Sequence, residues 1–550
     1  MGARLELRST FVDNVGRGVH VFQRLAELTD CEIEKCNVLA VDHSVLVMRT
    51  CVCKGTVGNN GVEVSASDCR LQGVTVVGSN IGFCLDSIPS YAVIADCNAV
   101  DIKEVGLQLA GAGARVCVQG FEMQDAAQQE AYGVIVCNAG RADLVSCKLA
   151  ARSDGCAVAA RDERSEVGGE DCQLSGRKGA SVIEEAQLTL QKCATCECGS
   201  VGYIVGKRAV LKLYHCTSTR DVIGVFCIDQ GHLHAEDCEL RSFACGAFVK
   251  SVDGIYGATC RLDHCRFVDT EPSPTPEWSS RLGGVGVFLE GKGAHVSMHE
   301  CTVSGTAGDC VMLIHQAKGT LEGCQLSHSH ANGVACVDQG SQFTLDGGKV
   351  SRNGTCGVIC EEGGRVVARR VHSCGNNGAG FAAYDNSSMT LKECSSDRDH
   401  DGCLAFGETP EGTVRVVLSG VLVRRSSAAG FAFDSNAKCA MKHCVALQCG
   451  GYGLLVRASE TGGPTGSGTA PGLNVFDSTF ERCGEGVAAH EGCAVDMQNV
   501  LCSRNVGCDF VCRGADSRLA LTRCEAEGSG EPYHCEDGGQ LHCIECRPIA

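Results

Sequence analysis

The sequence predicts an all-β chain wound as a right-handed parallel β-helix solenoid of roughly 20–22 rungs, read as a single domain spanning residues 1–550. Three observations predict it. A phrase of one glycine followed by small apolar residues recurs about every 23 residues. An alternating strand running into a cysteine follows each phrase at a steady offset. The 9 prolines gather at a few points instead of scattering.

The glycine phrase reads Gly133-Val134-Ile135-Val136, Gly202-Tyr203-Ile204-Val205, Gly224-Val225-Phe226-Cys227, Gly357-Val358-Ile359-Cys360 and Gly453-Leu454-Leu455-Val456. Its glycine is expected at a turn that needs positive φ. The second phrase reads Leu144-Val145-Ser146-Cys147, Leu211-Lys212-Leu213-Tyr214-His215-Cys216 and Leu391-Lys392-Glu393-Cys394. Between the two lies a polar turn such as Asp229-Gln230-Gly231, where Gly and Asp supply the turn chemistry. Two or three short strands fill one period and leave no room for a helix of about 10 residues. Each rung pairs with its neighbours about 4.8 Å away, which predicts a rod roughly 100 Å long. Right-handed coiling follows from the crossover rule.

These phrases resemble the right-handed parallel β-helix repeats (the PbH1 type) of pectate-lyase-like proteins. In character the chain is closest to non-enzymatic eukaryotic β-helix repeat proteins, such as the β-helix F-box proteins. The resemblance spans about residues 1–546 and implies the fold, but not an activity, because one fold hosts many. Pectate-lyase-like hydrolases would carry Asn-Thr-Asp, Asp-Asp, Gly-His-Gly and Arg-Ile-Lys strings, none of which occurs here.

The net charge of −18 argues against non-specific nucleic-acid binding. No apolar run approaches the length of a membrane span, and the opening residues carry no apolar signal segment. A cytoplasmic location is therefore expected. The 42 cysteines fit it if they are small inward hydrophobes and not a disulfide scaffold.

Loop insertions are expected where prolines fall, near 270–282, 408–412 and 458–472. The first holds Pro272, Pro274, Pro276 and the sole tryptophan, Trp278, and is the expected partner-binding loop. Arginines that precede the glycine phrase (Arg152, Arg177, Arg220, Arg352, Arg398, Arg425, Arg482, Arg504) should form a charged row along one side.

Two constellations could carry chemistry. Asp399, His400 and Asp401 could supply acid–base groups to a sugar bond, against the plainer reading of a solvated turn. His534, Cys535, His542, Cys543 and Cys546 have the ligand types of a tetrahedral zinc site, against the plainer reading of a last ordinary rung. No cofactor is expected. The resulting expectation is a non-enzymatic scaffold that binds other proteins, as a monomer within a large cytosolic hetero-complex. A cytoskeletal or ciliary (axonemal) assembly would use such a stiff spacer. A carbohydrate-active or glycan-binding protein is the first alternative and a substrate-recruiting adaptor the second.

Overall fold

The structure is a computed structural model. It describes residues 4–13, 18–55, 60–87, 91–112, 114–124, 131–252, 257–272, 282–407, 414–434, 437–457 and 473–549. The chain is a right-handed parallel β-solenoid of about 21 turns, as the repeat predicts. It forms two compact units, one from Met1–Arg266 and the other from Phe267–Pro272 with Pro276–Ala550.

In the first unit one turn shows the plan. The strand Val201–Val205 leads through Lys207 and Arg208 into Val210–Tyr214, and a single residue, His215, bends the chain into the next strand at Thr217. A second single residue, Arg220, bends it again toward Val225. Each five-residue strand alternates inward and outward. Leu188, Leu211 and Leu233 stack on one inner line, and Leu190, Leu213, Ala235 and Leu262 on the next. Alternation suits a half-buried strand, because successive side chains point to opposite faces.

The corners depend on left-handed backbone. Ile228 to Gly231 is a tight turn with Asp229 and Gln230 at φ 44° and 64°, closed by the Gly231 N–H on the Ile228 carbonyl at 3.0 Å. Two consecutive positive φ values are the type I′ pattern. The other two corners each need one such residue. After the five-residue strand it is Lys192, His215, Asp237 or Glu393, and Gly323 or Gly420 where glycine serves.

The second unit repeats the plan. Its inner line runs Met298, Leu321, Leu345, Ala368, Leu391, Leu418, Met441, Val475, Met497, Leu521 and Cys543 through strictly parallel pairings. The parallel line Val296, Gly319, Phe343 alternates large and small residues, and a Cβ on Gly319 would fall 2.5 Å from the Phe343 ring. Close packing of that kind tolerates neither voids nor extra atoms.

The recurring glycine is not a turn residue, which corrects the sequence reading. Gly224 lies within the strand Thr217–Ile228 and Gly357 directly before the strand Val358–Glu361, both without positive φ. A Cβ on Gly357 would sit 2.6 Å from the carbonyl oxygen of Gly380, and one on Gly224 2.6 Å from that of Gly246. Pairing skips this residue: Ala379 opposes Asp401 and Phe381 opposes Cys403, with Gly380 and Gly402 left between. Glycine is required because the backbones of successive turns approach closely at a local bulge.

Candidate functional sites

One row of cysteines occupies an inner corner. Directly after the left-handed residue, Cys147, Cys172, Cys193, Cys216, Cys238 and Cys265 follow one another on successive turns of the first unit, all buried. Each thiol lies over the carbonyl two residues before it, and most reach the strand of the preceding turn. Cys216 Sγ is 3.4 Å from the oxygens of both Tyr214 and Leu190, and Cys238 Sγ is 3.4 Å from Glu236 and 3.6 Å from Leu213. Ser478 Oγ donates to the equivalent carbonyl, of Phe476, at 2.8 Å, so the position calls for a small weak donor. Burial pushes the thiols of Cys69, Cys97 and Cys227 up to about 12.

The other inner corner of the second unit holds a polar ladder. Ser329 Oγ donates to Asn353 Oδ1 at 3.0 Å, Asn353 Nδ2 to Asn376 Oδ1 at 2.9 Å, and Asn376 Nδ2 to Asp399 Oδ1 at 2.9 Å. Backbone N–H groups of Ser329, Asn353 and Asn376 use the same three oxygens. Asp399 closes the run, its second oxygen taking the Ser396 hydroxyl at 2.6 Å. Its carboxyl is 1% exposed, and desolvation raises its pKa against these hydrogen bonds. Asp221 fills the same role in the first unit, accepting from Thr195, Ser218 and the Cys198 N–H.

This arrangement separates the three residues considered for acid–base work. Arg398, at φ 58°, turns the chain so that Asp399 points inward and His400 outward. His400 Nδ1 pairs with Asp401 Oδ2 at 2.8 Å, and Asp401 Oδ1 accepts the Ala429 N–H at 2.9 Å. The two carboxylates do not converge on a common point: one is spent in the interior and the other fixes the next turn. His328-Ser329-His330 follows the same corner, with Ser329 buried.

The cysteine and histidine residues near the C-terminus are divided in the same manner. Cys535 and Cys543 continue inner lines, opposite Cys512 and Leu521. Cys546 Sγ donates to the Leu521 carbonyl at 3.5 Å. His534 and His542 belong to the outward alternation, opposite Val511 and Ala520. His534 instead meets Glu531 and Cys508, whose ligand atoms lie within 4.8 Å of one another and of its own. A skipped pairing between two stacked turns makes this group, so no single stretch of sequence reveals it. Similarly, Cys193 and Cys198 are buried at separate corners while Cys196 is exposed.

Trp278, Pro274 and Pro276 lie outside the described residues, as do the loops at 408–412 and 458–472; Pro272 is exposed at the edge of the first. Six arginines of the row are themselves corner residues. Arg220, Arg352, Arg398, Arg425, Arg482 and Arg504 all have positive φ, between 54° and 58°. Asp397 holds two of them, Arg398 at 3.2 Å and Arg425 at 2.6 Å, and Glu481 holds Arg482 at 3.3 Å and Arg504 at 3.7 Å. Desolvation would raise the Asp397 pKa, but the two arginines outweigh it and hold the carboxyl below its usual range.

Residues 285–461 match the family model described as Right handed beta helix region, which agrees with the repeat resemblance. No curated protein matches the sequence. Among solved structures the chain is similar to the PL6 family alginate lyase AlyGC, with 8% identity over 100% of this chain and 97% of that one, at a TM-score of 0.27. It is similar to the Azotobacter vinelandii mannuronan C-5 epimerase AlgE4 A-module, with 12% identity over 90% and 89% and a TM-score of 0.19. The Siphovirus 9NA tailspike receptor binding domain aligns with 10% identity over 68% and 73%, at 0.23. The expectation that the chain is not an enzyme is corrected on this point. A lyase and an epimerase are named among the structures it is similar to, and missing hydrolase strings do not exclude catalysis on a fold that hosts many activities. No helix among the described residues is long and apolar enough to cross a membrane.

Proposed function

We propose that this chain is a scaffold that binds other proteins along its corner of arginines, within a larger cytosolic assembly of cytoskeletal kind. One observation carries the reading. Asp397 and Glu481 each clamp the arginine of their own turn and that of the next. A long flexible side chain would otherwise lose rotamer freedom on binding, and a clamped one has less to lose. Arginine is also enriched at the centres of protein interfaces, where its fork meets carboxylates in pairs. The matching partner is a protein segment rich in Asp and Glu, or one bearing phosphate. The thiol-lined interior suits a reducing compartment.

The test is affinity purification from native cells followed by mass spectrometry. A reproducible set of assembly proteins, lost when the corner arginines are reversed in charge, supports the reading. Recovery of the same set by the reversed chain contradicts it.

A further inference from the structure

We propose that Cys508, Glu531 and His534 form a zinc-binding site on the outer face of the second unit, with a fourth position open to water. The site arises from the same bulge that demands glycine elsewhere. Cys508 opposes Glu531, Phe510 opposes Tyr533 and Val511 opposes His534, so pairing skips residues 509 and 532. That skip places residues 531 and 534, three apart, on the same side of their strand, where plain alternation would oppose them. The neighbouring turn then brings Cys508 Sγ to 3.6 Å from Glu531 Oε2. His534 Nδ1 lies 2.9 Å from Glu531 Oε1. Ligands at about 2.0–2.3 Å around a tetrahedral zinc stand roughly 3.3–3.7 Å apart, so thiolate, imidazole and carboxylate need only small adjustments to share an ion.

The second ring nitrogen strengthens the assignment. His534 Nε2 bonds Glu536 Oε1 at 2.9 Å, and Arg513 Nε holds the other oxygen of Glu536 at 3.1 Å. A zinc-ligating histidine is ordinarily oriented by a carboxylate on its far nitrogen in this way. Arg513 also engages Glu485 at 2.8 Å, so its charge is spent on Glu485 and Glu536. Glu531 is half exposed and His534 a quarter exposed, which leaves room for water on the solvent side. Three mixed protein ligands with one open position are the pattern of an exchangeable zinc site; four protein ligands would close it. The ligand set differs from the Cys535, His542, Cys543 and Cys546 group, and it joins two turns.

Full-length chain stripped with chelator and then dialysed against zinc provides the test. One equivalent of zinc should remain bound, and cobalt in its place should give a thiolate charge-transfer band. Cys508→Ser and His534→Ala should each lose the bound metal and the band, while Cys535→Ser and Cys543→Ser keep both. Glu536→Gln should weaken zinc about 10- to 100-fold with the ligands intact. Zinc should raise the thermal midpoint of the wild type and leave that of Cys508→Ser unchanged, because the ion binds only the folded pair of turns. Circular dichroism verifies folding, and Glu531→Gln replaces any variant that unfolds. Stoichiometric binding that survives both Cys508→Ser and His534→Ala, or that is lost in Cys535→Ser or Cys543→Ser, overturns the assignment, as does a wild type that binds no zinc.

Discussion

Arg425 grips the carboxylate of Asp397, one turn before it, through hydrogen bonds of 2.9, 2.6 and 2.7 Å that engage both oxygens. The side chain of Asp397 is only 12% exposed while Arg425 is half exposed, so the pair lies where screening is partial. Removing the arginine strands a nearly buried carboxylate with only Arg398 beside it.

Arg425→Gln is therefore expected to cost about 1–2 kcal/mol of stability at neutral pH, within the range of a charge-assisted hydrogen bond. The folded-state pKa of Asp397 lies below its unfolded value. Its contribution is thus present above the unfolded pKa near 4 and is lost as pH falls through the folded value. Thermal melts of both chains at several pH values check this. The gap should narrow below about pH 4.

Asp399 behaves in the opposite sense. Desolvation raises its folded pKa, so the penalty of its charge grows as pH rises from the unfolded pKa through the folded one. Asp399→Asn keeps an oxygen for both Asn376 donors and places an amide toward Ser396. It should melt at or above the wild-type temperature at pH 7, and any advantage should vanish below about pH 4. A fall of several degrees at pH 7 would contradict the ladder assignment.

Two glycine substitutions separate two kinds of strain. Gly357→Ala drives a methyl to 2.6 Å from the Gly380 carbonyl and should cost about 1–3 kcal/mol. Gly347 has φ 67° and nothing within 4 Å of an added Cβ, so Gly347→Ala meets only the left-handed penalty of about 1 kcal/mol. Equal melting temperatures for the two variants would show that close approach is not what the repeating glycine serves.

Thiol labelling should follow the inner columns. In the native chain, Cys196, Cys535 and Cys543 are exposed and should react first, while the buried thiols, shielded from reagent, react slowly. After denaturation without reductant, most of the 42 should be modified. Fast native labelling of Cys172 or Cys216 would place that column outside.

The period, the alternating strands and the inward cysteines were legible in the sequence because each repeats at a fixed offset. The role of the glycine was not. A residue that avoids a carbonyl on the next turn and one that needs positive φ look alike in a string, and only pairing tells Gly357 from Gly347. Arg398-Asp399-His400-Asp401 misled for a related reason. It looks like one charged cluster, yet the left-handed Arg398 sends its neighbours to opposite sides of the wall. Conversely, Cys508 and His534 lie 26 positions apart and meet only because successive turns stack.

Quantitative co-purification with the arginine corner altered tests the account most directly. Arg352→Glu combined with Arg504→Glu leaves the Asp397 clamp and the interior intact, so the chain should fold and melt nearly as the wild type does. The account predicts that the acidic or phosphorylated partner is recovered with the wild type and falls at least tenfold with the double variant. Undiminished recovery with an intact fold would contradict the claim that this corner is the docking line.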